Sequence, residues 1–500
     1  MVAGREATTT GATLVSHSND GDGDVAGNIR VVPASTNSLP SNRTVSRGVI
    51  PNVQSTFQYH TEGYAIINEK QVALGESTCS SIYSGSGSQQ LNIVDLGQLC
   101  LERASSASAC ISTMGELATT YGYYDAGESL FVTDPNEAWV FHVLPDSTGT
   151  SAIWAAQQIP PTHIAAVMNA FIIRDVDVND AGNFLFSANL QDEAAVLGWD
   201  GEAALDFSLL FSAPPEPTCK YTSGRRVWSV FNTFAPSLSL PSTYEDYYSS
   251  TYPVSAAPDE KVNATAFRSM MRDTFEGTEY ALGATSPSPL PGGPFGSASR
   301  WKTDQQVDNE TVCFERSIST FKSIVSFVAE GRAWLPDSIG GLLHFTPHSA
   351  RAGVMVPLVA GMKEIAEGFA GNSMGVLGRG TSAFWGARFL YNMIELKSEY
   401  AVLDVRKMQA ELEDGVGGNL TAFVDAGYAA GELTMQDVQD LYNENAERAV
   451  QEVWSLSDSV MMMYADGYCN GCGRGPRHLG YPQPWLDATY TNLGYDKDDR

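Results

Sequence analysis

The sequence has 500 residues, of which 43% are hydrophobic and 18% are charged. This length can bury a large core in one big domain or in two to three ordinary ones, and the composition excludes a wholly disordered chain. The formal net charge of −28 argues against a nucleic-acid partner, because an acidic surface repels phosphate backbones.

The sequence gives little information on compartment. It contains no run of 18 or more apolar residues, so no membrane span is predicted. The first seven residues lack the pattern of a signal peptide and are typical of a β-hairpin. Six of the seven cysteines allow three disulfides, with one left over. Four Asn-x-Ser/Thr sequons permit a secretory route without requiring it: Asn42, Asn263, Asn309 and Asn419.

The first half of the chain is rich in predicted strands. Residues 1–100 alternate apolar and polar side chains between Gly, Asn and Ser turns. Apolar residues recur at helical spacing around 104–121. A β-rich block follows, with predicted strands at 129–133, 138–143, 153–157 and 164–169.

The second half mixes loops, strands and helices. Residues 212–300 are rich in Pro, Ser and Tyr and are predicted to form loops around short helices, whereas 316–360 are strand-like. A long helical segment is predicted over 383–413, interrupted near Ser398, and a further helix begins near Thr434 with a pattern that resembles an N-terminal capping box. This order of elements suits an α+β layered domain.

Two local motifs resemble known functional sites, but the residues around each motif do not fit that site. Gly371-Asn372-Ser373-Met374-Gly375 matches the nucleophile elbow of serine hydrolases, but no clear strand precedes it, which favours a chance match. The acidic run that begins at Asp20 suggests a calcium loop, but Val25 and Val31 stand where an EF-hand needs Gly and Glu.

No metal site or cofactor is predicted. The single C-x-x-C formed by Cys469 and Cys472 lacks two further zinc ligands, and a local disulfide or two free thiols explain it better. His344 and His348 are four residues apart but belong to a strand-like stretch that contains Pro347, so they are not a helical zinc pair.

Ten segments of the sequence match one known pattern in the correct order. They are Val2–Asp20, Ile67–Thr78, Gly127–Ser129, Asp134–Phe141, Trp154–Gln157, Asn169–Arg174, Arg226–Asn232, Phe275–Thr278, Gly293–Gly296 and Leu335–Gly341. With them the sequence resembles the dipeptidase/secernin family of N-terminal-nucleophile cysteine peptidases. The resemblance covers roughly residues 2–410, and many weak matches in order carry more weight than any one of them.

The resemblance implies a four-layer αββα sandwich, here with loop insertions and C-terminal helices. It also implies an amino-terminal cysteine whose thiolate attacks the amide carbonyl, with the adjacent α-amine as the base. An Asn amide and backbone N–H groups would stabilise the oxyanion. On this basis residues 1–410 form the hydrolase domain, with the loop-rich insertion at about 212–300. Residues 411–500 form a helical segment and a Gly/Pro/Tyr-rich tail.

Four residues of this sequence correspond to site positions. Asp20 matches the aspartate that positions the amine and thiol, and this role is favoured over the alternative of an Asp in an exposed turn. Asn169 follows a hydrophobic run where related hydrolases carry an oxyanion or amine-binding Asn, although a buried, satisfied Asn fits equally well. Glu76 and Arg316 fall near substrate-side positions, where structural or surface roles are the alternative.

The sequence departs from the family pattern at two places. His17-Ser18-Asn19 replaces the commoner Arg-Asn-Glu before the aspartate. No cysteine precedes Cys79, and Met1 aligns about three residues after the expected nucleophile. We therefore expect that Met1 is an internal methionine and that a Cys-Thr-Ser or similar segment lies ahead of it. The rival interpretation is a family member without a nucleophile.

The predicted activity is hydrolysis of dipeptides by a cysteine-type exopeptidase that holds the free amino terminus with acidic groups. The alternatives are a non-catalytic, secernin-like protein of secretion or trafficking, and an acylase acting on non-peptide amides. A small peptide is the expected partner, and a homo-oligomer is left open. A signal peptide ahead of Met1 would direct the protein to a secretory, lysosomal or extracellular location, and otherwise it is expected in the cytoplasm.

Overall fold

A computed structural model of the chain describes most of the sequence. The residues outside the description are 22, 86, 202–203, 214–221, 244–251, 284–292, 301–303, 308–309, 314, 465–466, 471–476, 482 and 494–500. Cys472, part of the C-x-x-C motif, and Cys219 lie outside the described residues.

The strands are mostly short, and the longest are those of the two large sheets. In chain order they are β1 Val2–Ala3, β2 Thr13–Asp20, β3 Arg30–Val32, β4 Ser35–Thr36, β5 Asn42–Val45, β6 Gly48–Pro51, β7 Ser55–Thr56, β8 Tyr59–Thr61, β9 Ala65–Asn68, β10 Ala73–Cys79, β11 Gly127–Thr133, β12 Ala138–Pro145, β13 Ala152–Ile159, β14 Ile164–Ala165, β15 Asp175–Val176, β16 Phe184–Phe186, β17 Leu205–Asp206, β18 Asp304–Val307, β19 Glu310–Cys313, β20 Ser323–Gly331, β21 Gly341–Pro347, β22 Val356–Val359, β23 Tyr468–Cys469 and β24 Arg477–His478.

The helices are concentrated between the strand blocks and after the last large-sheet strand. They are α1 Ile93–Arg103, α2 Ala107–Tyr121, α3 Leu190–Val196, α4 Phe207–Phe211, α5 Thr222–Phe234, α6 Ala264–Met270, α7 Asp337–Gly340, α8 Glu367–Ala370, α9 Ala383–Ile394, α10 Ser398–Gln409, α11 Gly418–Ala429, α12 Met435–Tyr464 and α13 Gln483–Leu493. A π-helical segment, Ala410–Gly417, joins α10 to α11, and 3₁₀ turns span Pro236–Leu238 and Gly293–Phe295.

Two antiparallel sheets carry the site. The six-stranded sheet has the order β14-β1-β2-β20-β21-β22, and the eight-stranded sheet has the order β16-β13-β12-β11-β10-β9-β8-β3. β2 contacts β10 and β11 of the other sheet. The short strand β1 is paired on both sides, by β2 and by β14.

The hydrophobic core consists of three clusters, and side chains that alternate along one strand belong to different clusters. Val15 of β2 and Phe131 of β11 belong to one buried cluster that includes residues of both large sheets. The neighbouring Val132 packs instead with helices α1 and α2, and Leu14 packs in a third cluster with residues of α5 and α6. Successive side chains of a strand point to opposite faces, so each strand contributes to two clusters.

Several predicted elements are confirmed. The chain is α+β, helix α2 occupies the predicted 104–121 region, and the break near Ser398 separates α9 from α10. Thr434 caps α12, where its Oγ1 accepts from the Asp437 nitrogen at 3.3 Å and its nitrogen donates to the Asp437 carboxylate at 2.7 Å. No helix among the described residues has the length and apolarity needed to cross a membrane.

Ser373 does not lie on a nucleophile elbow. It follows the four-residue helix α8 in an exposed turn closed by a bridge between Ser373 and Val376. The elbow needs a buried strand before the serine and a helix directly after it, so this geometry cannot present a strained nucleophile. The chance-match interpretation of the motif is therefore preferred.

Candidate active site

All four predicted site residues line one cleft. This cleft, of about 320 Å³, lies beside the ends of β1, β2 and β10 and the segment after β14. Its walls include Asp20, Glu76, Asn169 and Arg316, which are separated by up to 296 residues in the sequence. We call it the main cleft. Its volume is at the lower end of the range for small-ligand pockets, which suits a small substrate.

Asp20 is the last residue of β2, where the pairing with β20 shifts its register. Its Oδ1 accepts a hydrogen bond from Ser323 Oγ at 2.8 Å. Its Oδ2 forms an ion pair with Arg316, whose side chain also lines the cleft. The alternative of an Asp in an exposed turn is wrong, because the side chain is only 14% exposed and is bound on both oxygens.

Asn169 is held in an unusual backbone conformation. Its φ of +63° lies in the left-handed region, which Asn tolerates better than most residues. Its nitrogen donates to Ser77 Oγ and its Nδ2 donates to the Thr78 carbonyl, both at 2.8 Å. Its Oδ1 accepts from Arg226 Nη2 at 2.9 Å and from Arg316 Nη1 at 3.4 Å. The prediction of a strand through Asn169 is wrong, because β14 ends at Ala165.

A buried series of hydrogen bonds connects the backbone after Asn169 with the end of β10. His142 Nε2 accepts from the nitrogens of Ile172 at 2.9 Å and Ile173 at 3.1 Å, so the ring proton is on Nδ1. His142 Nδ1 therefore donates to Ser129 Oγ at 2.6 Å. Ser129 Oγ then donates to Cys79 Sγ at 3.1 Å.

This series of hydrogen bonds ends at Ser77, which is itself bonded to Asn169. The Cys79 thiol donates to the Ser77 carbonyl at 3.3 Å, and Ser77 Oγ is the acceptor of the Asn169 nitrogen. His142 grips the loop after Asn169 at the other end. Burial lowers the pKa of His142 to about 3, so the ring stays neutral and keeps this proton arrangement.

Glu76 and Glu128 form a carboxyl pair at one end of the main cleft. Burial and the neighbouring Glu76 charge raise the pKa of Glu128 well above its usual value, so Glu128 holds the proton. Burial acts to raise the pKa of Glu76, but hydrogen bonds from His17 and Glu128 leave it lowered. His17 Nε2 lies 3.3 Å from Glu76 Oε2, and Thr78 Oγ1 donates to Oε1 at 3.2 Å. The cleft therefore contains an ionised, largely buried Glu76.

The described cysteines are poorly suited to attack a substrate. Cys79 is 1% exposed, and burial raises the pKa of its thiol well above the usual range. A protonated, shielded thiol is a weak nucleophile. Cys100 and Cys110 form a disulfide between α1 and α2, and Cys469 is also disulfide-bonded.

Three residues of this region were not singled out from the sequence: Glu128, His142 and Arg226. Glu128 and Arg226 fall in segments that carry the family resemblance. A charged side chain within such a segment could have been taken as a candidate site residue. His142 lies within the apolar strand β12, where a single histidine gives no sign of a role. In the part of the chain that the structure describes, no group of three or more His, Cys, Asp or Glu side chains is arranged to hold a metal.

Comparisons with known proteins bear on the family of this chain. The sequence model of peptidase family C69 matches residues 1–411. A probable dipeptidase of Latilactobacillus sakei is 24% identical over 285 residues, which cover 55% of this chain and 53% of that protein. A probable dipeptidase of Salmonella dublin is 24% identical over 283 residues, covering 56% of each. The chain thus spans about half the length of these relatives. The family match covers most of the chain and confirms the resemblance drawn from the sequence: the protein belongs to peptidase family C69.

Proposed function

We propose that this protein is a dipeptidase that uses an amino-terminal cysteine as its nucleophile, and that this cysteine is the third residue ahead of Met1. The observation that carries the proposal is the pairing of β1 on both of its edges. The family match and the dipeptidase relatives support the substrate class, and the main cleft supports the mechanism.

The strand registers agree with the position of the proposed cysteine. Val2 of β1 lies opposite Val15 of β2 and opposite Ala165 of β14. Continued along β2 with the same register, the third residue ahead of Met1 falls opposite Asn19. On the other side β14 ends at Ala165, and the segment that follows it leads to Asn169. Asp20 is the next residue after Asn19, and all three line the main cleft. The offset of about three residues comes from the sequence resemblance, and the register shows which residues would face a cysteine at that offset.

The proposed chemistry uses the groups that line this cleft. The cysteine sulfur bonds to the substrate carbonyl carbon, and its proton passes to the adjacent α-amine, oriented by Asp20. The side-chain amide of Asn169 stabilises the oxyanion. The C–N bond then breaks and the leaving amine takes the proton from the α-amine. Water hydrolyses the thioester, which restores the thiol and releases the carboxylate.

We also propose the layered fold and domain division that the resemblance implies. Helices α1 and α2 pack on the eight-stranded sheet, and α5 and α6 share a cluster with the six-stranded sheet, which supports an αββα arrangement. The family match ends at residue 411, which supports a hydrolase domain over 1–410 followed by a helical segment.

Two matched variants test the function. One carries Met-Cys-Thr-Ser ahead of Met1 and the other Met-Ala-Thr-Ser, and removal of the initiator leaves Cys or Ala at the amino terminus. We expect the Cys variant alone to hydrolyse dipeptides, and Asp20→Ala in that variant to lower kcat at least about a hundredfold, the low end for a general acid–base group. Equal rates for the Cys and Ala variants, or unchanged rates on Asp20→Ala, would defeat the proposal. Hydrolysis of acyl amides but not dipeptides would favour an acylase.

A further inference from the structure

A second cavity opens beside the main cleft. It has a volume of about 260 Å³, and Asp20 and Arg316 line both spaces. We call it the basic cavity, because three cationic side chains line it, Arg300, Arg316 and Lys322, against the two carboxylates of Asp20 and Glu315. The excess of positive charge is unusual in a protein of net charge −28.

Both carboxylates of the basic cavity already have a basic partner. Asp20 forms an ion pair with Arg316. Glu315 accepts from Arg225 Nε at 2.9 Å and from its Nη2 at 3.0 Å, the two-point geometry that suits a guanidinium and a carboxylate. Lys322 is the lining cation to which the described residues provide no ion pair.

Arg300 is held in the wall by the backbone. Its Nη1 donates to the carbonyls of Ser297 at 3.2 Å and Ser299 at 2.9 Å, and its Nη2 donates to that of Leu282 at 2.8 Å. Burial lowers the pKa of Arg300 and the charge of Glu395 acts the other way, but a guanidinium remains charged at any physiological pH.

Lys322 adds an exposed cation to the lining of the cavity. Its side chain is exposed, and among the described residues it makes no ion pair. Its carbonyl accepts from the nitrogen of Gly21 at 2.9 Å, which ties this residue directly to the segment that carries Asp20.

From this geometry we propose that the basic cavity binds the α-carboxylate of the substrate's second residue, an inference that rests on the proposed dipeptidase function. In a dipeptide the scissile carbonyl carbon and the carboxylate carbon are three bonds apart, which spans at most about 4 Å. The carboxylate must therefore lie next to whatever contacts the reacting group. Arg316 meets this condition, since it contacts Asp20 and Asn169 and lines both cavities.

The charge of the cavity restricts substrate length. A dipeptide brings a carboxylate to Lys322 and Arg316, where opposite charges attract. A longer peptide brings a neutral amide to the same place, where it gives Lys322 no carboxylate partner, while Arg316 keeps its ion pair with Asp20. The basic cavity thereby selects dipeptides over longer peptides, while Glu76 lies in the main cleft near the other end of the substrate.

The test compares a dipeptide with its C-terminal amide in the variant that carries an amino-terminal Cys. We expect kcat/KM to be at least about tenfold higher for the free carboxylate, as for loss of one charge-assisted hydrogen bond. Lys322→Gln should raise KM for the dipeptide about tenfold and leave the amide unaffected. Lys407→Gln is the matched control, since that lysine is 76% exposed on α10, outside both cavities.

Equal hydrolysis of the two substrates, or equal losses for both in Lys322→Gln, would overturn the inference and leave the dipeptidase proposal intact. Calorimetric binding of the same two ligands to the Ala-extended variant gives the preference without turnover. Tighter binding of the free dipeptide there supports the basic cavity even if hydrolysis fails, whereas equal affinity refutes it.

Discussion

Arg316 contacts both residues to which we assign chemistry. It forms an ion pair with Asp20 and donates to Asn169 Oδ1 at 3.4 Å. One guanidinium thus connects the carboxylate that we propose to orient the amine with the amide that we propose to stabilise the oxyanion. The sequence predicted Asp20, Asn169 and Arg316 separately. Their mutual contacts were not predictable, because they depend on how strands and loops far apart in the chain come together.

Buried side chains that lie behind the cleft wall were harder to predict from the sequence. Glu128 is 2% exposed and holds a proton beside the ionised Glu76, but a single glutamate within a strand gives no sign of its partner. His142 likewise shows its role only through the hydrogen bonds at its two ring nitrogens.

At the residue scale we predict that His142 positions Asn169. His142→Val removes the acceptor of two buried N–H groups, so the free energy of unfolding should fall by about 2–4 kcal/mol. In the variant with an amino-terminal Cys, kcat should fall at least about tenfold with little change in KM. Denaturant unfolding and steady-state kinetics measure the two effects.

His142→Gln provides the control for this prediction, since its Oε1 can accept from the same backbone N–H groups, and it should recover most of the lost kcat. Ser129→Ala interrupts this series of hydrogen bonds but leaves the nitrogens of Ile172 and Ile173 bonded to the ring, so its effect should be small. A Val variant that keeps wild-type kcat would refute the positioning role.

Among the elements, β1 and β14 decide the geometry of the site, although each has only two residues. Their registers define the line on which we propose the nucleophile. The sequence predicted a strand through Asn169, because a hydrophobic run precedes it. The run instead ends in a residue with positive φ, a conformation that hydrophobic periodicity cannot detect.

Helices were predicted better than short strands for a physical reason. The repeating apolar positions of α2 and α12 produce a strong periodic signal over three or more turns. A two-residue strand has no period, and its existence depends on partners elsewhere in the chain. The π-helical segment after α10 could not be distinguished from an α-helix in the sequence, because its side chains continue the helical pattern of α10.

The disulfide between Cys100 of α1 and Cys110 of α2 gives a prediction at the element scale. It closes a short loop, so its loss in Cys110→Ser should lower the free energy of unfolding by about 2–3 kcal/mol. Denaturant unfolding of the oxidised proteins measures this difference. A reductant should destabilise the parent protein similarly and change the variant less. Equal stability of parent and variant under oxidising conditions would contradict the prediction.

Across the whole molecule, burial of histidines makes stability depend on pH. Burial lowers the pKa of His60 to about 4 and those of His142 and His348 to about 3. Below about pH 6.5 the unfolded chain protonates these rings and the folded protein does not. Stability is therefore lost as the pH falls from about 6.5 to 4. Glu62 partly offsets this between about pH 7 and 4.5, because burial raises its folded pKa to about 7.

His348→Asn isolates one of these contributions. Asn tolerates the positive φ of +74° at this position and carries no titrating group. The slope of unfolding free energy against pH between 6 and 4.5 should decrease by about 1.4 kcal/mol per pH unit. Urea unfolding at several pH values measures it, and an unchanged slope would show that His348 does not titrate between the two states as argued.

The α+β class and the family were predictable from many weak matches spread over the chain, because a shared fold constrains many positions at once. The basic cavity was not, since Arg300 and Lys322 become neighbours of Asp20 only in the folded chain. Whole-molecule charge gave no indication of it either, because a net charge of −28 conceals a local positive cavity.

The most direct test of the central claim is mass spectrometry of the amino terminus of the protein purified from its natural source. We expect a mature chain that begins with Cys, followed by two residues and then the Met1 segment. A native chain that begins at Met1 and still hydrolyses dipeptides would contradict the proposed nucleophile. A native chain that begins at Met1 and lacks this activity would favour the non-catalytic interpretation.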